Sequence, residues 1–60
     1  MMNENEVMAL AEMEQFLELT DESDWPLVHM TVRGDVQYGK YGREFEQAYK
    51  ELVDNKLSER

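Results

Sequence analysis

The sequence predicts a small α+β domain in the order α-β-β-α, a two-stranded antiparallel hairpin packed on two helices, and three observations point to it. Apolar residues recur at three- and four-residue spacing near both ends of the chain, as in amphipathic helices. Between them Leu27-Val28-His29-Met30-Thr31-Val32 alternates in the manner of a strand, and Arg33-Gly34-Asp35 is a turn candidate that would return the chain along Val36 to Tyr41.

The first helix is expected from about Asn5 to Leu19, with Ala9, Leu10, Met13, Phe16 and Leu17 inward and Glu12, Glu14, Gln15 and Glu18 mainly opposite. Asn3 or Asn5 can cap its start, and Glu4 and Glu6 suit the positive end of the helix dipole. Thr20-Asp21-Glu22-Ser23-Asp24 then competes for backbone hydrogen bonds and favours a loop, after which Pro26 biases Trp25 towards extended backbone. In the hairpin, a loop of Arg33-Gly34-Asp35 pairs Val32 with Val36 and Met30 with Tyr38, so that the apolar side chains share one face; a one-residue slip would invert them. The last helix is expected from Arg43 to Lys56, with Phe45, Ala48, Tyr49, Leu52 and Val53 inward.

A three-helix bundle is the alternative. Asp24 could cap a short helix from Trp25 to Arg33 ended by Gly34, and Asp35 could cap a long third helix. Against it stand Gly39 and Gly42, each costing about 1 kcal/mol inside that helix, and the β-branched Val28, Thr31 and Val32.

Sixty residues make a single small acidic domain, 1–60, near the lower limit of size, because so short a chain buries only about 60% of its extended surface. With no cysteine and one histidine, neither a disulfide framework nor a structural zinc is available. Packing, a partner or self-association must supply the stability, and a homodimer is one way to do so. No stretch approaches the ~20 apolar residues of a membrane span and no basic, apolar leader opens the sequence, so the expected location is the cytoplasm.

The charge is lopsided. Residues 1–24 hold eight carboxylates and no lysine or arginine, whereas the remainder balances six acids against six bases, so all of the net charge of −8 belongs to the front segment. Such a balance argues against direct nucleic-acid binding and against anionic membranes.

Catalytic constellations are missing: there is no cysteine nucleophile, no phosphate-binding glycine loop and no pair of histidines, so the expectation is a protein without catalytic residues, metal ligands or cofactor. His29, within an alternating apolar run, reads as structural. Asp21, Glu22 and Asp24 lack the spacing and central glycine of an EF-hand loop. Arg33-Gly34-Asp35 spells an integrin-binding tripeptide, but a turn is needed there in any case.

The acidic front is the strongest lead. A helix from Glu4 to Glu18 is about 21 Å long and would carry a carboxylate every ~5 Å, comparable with the ~3.4 Å phosphate spacing of one DNA strand. Glu12, Glu14, Glu18, Asp21, Glu22, Ser23 and Asp24, with Trp25 and Tyr38 as aromatic anchors, form the expected partner-binding set, although Trp25 can equally close the bottom of the core. Glu22-Ser23-Asp24 resembles the short Glu-Ser-X element of small, acidic, phage-encoded inhibitors of uracil-DNA glycosylase. The resemblance implies that Glu22 and Ser23 face the enzyme's DNA-binding cleft while an apolar pocket grips a protruding loop residue. The expected function is therefore a non-enzymatic inhibitor or regulator that docks on the basic, nucleic-acid-binding cleft of a partner protein by DNA mimicry. The alternative is a homodimeric structural interaction module in which the apolar faces Phe16/Leu17 and Phe45/Leu52 meet a second copy and the acids serve solubility only.

Overall fold

The computed structural model describes residues 1–59; Arg60, placed with the fraying C-terminus by the sequence, lies outside them. Three helices make up the fold: α1 (Glu4–Leu19), α2 (Trp25–Gln37) and α3 (Arg43–Ser58), with a single 3-10 turn, Glu22–Asp24, leading into α2. The backbone N–H of Gly42, before α3, reaches Glu6 near the start of α1, and Lys56 near the end of α3 reaches Glu18 near the end of α1. Helices α1 and α3 are therefore parallel and in direct contact, and α2 runs antiparallel to both.

The α+β expectation is thus corrected, for no strand occurs among the described residues. The whole of Leu27–Val32 and the expected Arg33-Gly34-Asp35 turn lie inside α2. Val28 and Val32 fit a period of two and a period of 3.6 equally well over so short a run. What decides is the longer series Trp25, Val28, Val32 and Val36, all turned to the core at helical spacing across Gly34. Burying that stripe outweighs about 1 kcal/mol for Gly34 and a few tenths for each β-branched residue.

The bundle alternative had the right class but misplaced its break. α2 continues to Gln37, and the chain turns at Tyr38 to Gly42. There the N–H groups of Tyr38, Gly39 and Lys40 donate to the carbonyls of Gly34, Val36 and Asp35, while Gly39 takes a φ of +81°, a conformation costly for any residue with a Cβ. Gly39 thus ends one helix, and Gly42 stands at the N-cap of the next.

Trp25 is likewise helical (φ −57°, ψ −33°) and not extended. Pro26 occupies the first turn of α2, where an N–H has no intrahelical partner to lose, so the preference of the residue before proline is overridden.

Ala9, Leu17, Val32, Phe45 and Tyr49 form the buried core, with Phe45 at 0% and Leu17 at 1% exposure. Leu10, Met13, Val28, Leu52 and Val53 pack around it. Tyr41 stacks on Phe45, ring centroids 4.2 Å apart, and so closes the core at the α2–α3 turn.

One acid of the front segment is structural. Asn3 and Glu6 form a reciprocal capping box at the start of α1, and Glu6, 8% exposed, also accepts from the Gly42 N–H at 2.9 Å. These bonds, Gly42 first and Asn3 second, hold the Glu6 carboxyl below its ordinary pKa of 4.5. A depressed carboxyl pKa stabilises the fold above the unfolded value and ceases to do so as pH falls through the folded value. Glu6→Ala should accordingly lower the melting temperature at pH 7 more than Glu4→Ala or Glu14→Ala does. That difference should shrink in melts at pH well below 4.5. Equal melting of all three variants at pH 7 would show that the clasp contributes nothing.

Candidate functional site

Carboxylates on α1 do not line up. With 3.6 residues per turn, Glu14 and Glu18 share one flank, whereas Glu12 lies about 200° around the helix from Glu14. Glu6 is turned inward to Gly42, and Glu18 accepts from Lys56 Nζ at 3.0 Å. Two of the five expected rungs of a phosphate-like ladder are thus occupied by links to Gly42 and to Lys56 of α3.

Beyond α1, Asp21, Glu22, Ser23 and Asp24 are all exposed at the α1–α2 junction, beside the positive end of α2. Trp25 is turned to the interior: its indole N–H donates to the carbonyls of Leu17 (3.0 Å) and Thr20 (3.1 Å), two groups that the end of α1 leaves unpaired. Tyr38 is 93% exposed, but it follows the last residue of α2, about 20 Å along that helix from Trp25. The structure therefore gathers Glu18 to Asp24 at one end of the bundle, joins Trp25 to the core and sets Tyr38 apart.

Of the two apolar faces expected to meet a second copy, Phe45 and Leu52 pack in the core and Leu17 is buried with them, whereas Phe16 stays open. Phe16, expected inward, is 56% exposed, and Leu19, Leu27 and Met30 are more open still. Phe16 and Leu27 border a groove of about 340 Å³ between α1 and α2, completed by Met13, Thr20, Asp24, Val28 and Thr31. A signal for it was present. Val7, Met8, Ala9, Leu10, Ala11, Met13, Phe16, Leu17 and Leu19 surround α1, more than one core stripe can bury, and a helix apolar on several sides needs more than one neighbour.

The surface area agrees. The chain exposes 4697 Å², against the ~4,100 Å² of a folded monomer of its mass, an excess of several hundred Å² that approaches one partner's share of a standard interface, about 800 Å². Among the described residues no group of three or more His, Asp or Glu side chains is placed to hold a metal ion, and no helix is long and apolar enough to cross a membrane.

Fold and surface together define a small up-down-up three-helix bundle with one open apolar face beside an acidic end. Comparison with protein-family models, with curated proteins and with solved structures finds no match.

Proposed function

We propose that this chain is a non-enzymatic, cytoplasmic interaction module that pairs with a second copy of itself through the α1–α2 face, its carboxylates serving solubility. The observation that carries this reading is the pair of exposed apolar side chains Phe16 and Leu27 bordering the α1–α2 groove, with Leu19 and Met30 exposed on the same two helices. A core of five buried apolar residues leaves a domain of this size in need of further burial, and a self-complementary face supplies it. A dimer also joins two chains of charge −8, so like charge opposes association at long range.

Sign of the salt effect is the test. Sedimentation should show a dimer that tightens as salt is raised, because screening relieves repulsion while apolar contact persists. Phe16→Ser with Leu27→Ser, exposed changes that leave charge and helix content alone, should raise the dissociation constant at least about 30-fold. Glu14→Lys should leave the dimer intact. A monomer at every salt concentration would refute the proposal.

The mimicry reading requires the opposite response. Docking of Glu12, Glu14, Asp21, Glu22 and Asp24 on a basic cleft, that of uracil-DNA glycosylase included, would weaken steeply with salt. The dispersion of the α1 acids around the helix favours the dimer.

A further inference from the structure

A second groove, of about 370 Å³, lies between α2 and α3 and shares no residue with the α1–α2 face. Its floor is apolar, formed by Val32, Val53 and the ring of Tyr49. Tyr49 is only 5% exposed, and its hydroxyl lies 2.6 Å from Nδ1 of His29, the two rings meeting edge to face. Burial pushes the Tyr49 hydroxyl up to about 12, so it keeps its proton at neutral pH. The hydroxyl and Nδ1 of His29 thus share one short hydrogen bond, which fixes the imidazole ring against Tyr49. Nε2 makes no hydrogen bond among the described residues.

One turn along α2 from His29 stands Arg33, on the same wall, and across the groove on α3 stands Lys50. Neither cation forms an ion pair among the described residues. Glu46 and Asp54, the remaining lining groups, lie one turn before and one turn after Lys50. Charge on the α3 wall is therefore contested, whereas the α2 wall offers the Arg33 guanidinium and the polar edge of the His29 ring, and no acid. A dianion would meet both carboxylates. A single carboxylate can face the α2 wall while an apolar tail covers Val32 and Val53.

We propose that the α2–α3 groove is a binding site for small monocarboxylates that carry an apolar tail, with Arg33 as the charged anchor, His29 beside it and Lys50 in support. Its volume falls within the usual range of ligand pockets, roughly 300–1,000 Å³, and its one-sided donor wall gives a bound carboxylate a direction.

The test is an NMR titration of the full chain with octanoate, octan-1-ol and inorganic phosphate in turn. Octanoate should shift the Val32 and Val53 methyls and the Tyr49 ring saturably, with a dissociation constant of about 1 mM, as suits so small and open a site. Octan-1-ol should bind at least about fivefold more weakly, phosphate should leave these signals unmoved, and Arg33→Gln should weaken octanoate about tenfold. Arg33 is exposed, so that variant keeps its fold, which far-UV circular dichroism checks. The Phe16→Ser, Leu27→Ser double variant should bind octanoate as the native chain does, whether or not it dimerises. Equal binding of octanoate and octan-1-ol, shifts centred on Phe16 and Leu27, or an unchanged affinity in Arg33→Gln would each overturn the proposal.

Discussion

Phe45→Ala should lower the melting temperature by about 20 °C or abolish the cooperative transition altogether. Phe45 is fully buried, on the face of α3 turned to the other helices, and Tyr41 stacks against its ring. Truncation removes the transfer free energy of the ring and leaves a cavity among Leu17, Val32 and Tyr49, which together cost about 3–5 kcal/mol. A sixty-residue domain has only about 3–9 kcal/mol to lose. Thermal melts by circular dichroism, at one fixed protein concentration so that any change in association is held constant, measure the effect. A shift of only a few degrees would mean that the three helices do not share this core.

Replacement of Trp25 should give the next largest loss, and a graded pair of variants separates its causes. Trp25→Phe keeps an aromatic ring at the α1–α2 junction but deletes the N–H that serves the Leu17 and Thr20 carbonyls. The expected cost is about 1–2 kcal/mol, a fall of roughly 8 °C. Trp25→Ala also removes the packing of a half-buried ring and should cost about 3 kcal/mol, roughly 15 °C. If Trp25→Phe melts with the native chain, the indole N–H is not what secures the end of α1. If Trp25→Ala does so too, the residue belongs to an exposed recognition surface, one of the two places the sequence offers for it.

Part of this architecture was legible. α1 and α3 announce themselves by long apolar periodicity, so the α1 range and the start at Arg43 were placed within a residue, and Ala9, Leu17, Phe45 and Tyr49 were correctly assigned to the core. α2 was not legible, because its strand-like half is short and its glycine sits at an interior position where nothing lies within 4 Å of an added Cβ, neither required nor forbidden. Gly39 and Gly42 were weighed as costs inside a helix, although they stand at its end and at the next beginning.

Acids could be counted but not assigned. Whether a glutamate faces water or a neighbouring helix depends on partners far along the chain: Gly42 for Glu6 and Lys56 for Glu18, 36 and 38 residues away. No local pattern encodes such pairings. The open position of Phe16 was hidden for a related reason, since periodicity shows that a side of α1 is apolar but not how many neighbours will cover it.

The up-down-up order also sets the tempo of assembly. α1 with α2, and α2 with α3, meet through short connections, whereas the Glu6–Gly42 and Glu18–Lys56 links between the parallel helices close far longer stretches of chain. The entropy of closure grows only slowly with length, and most neighbours in this bundle are local, which places folding in the microsecond-to-millisecond regime of small helical proteins.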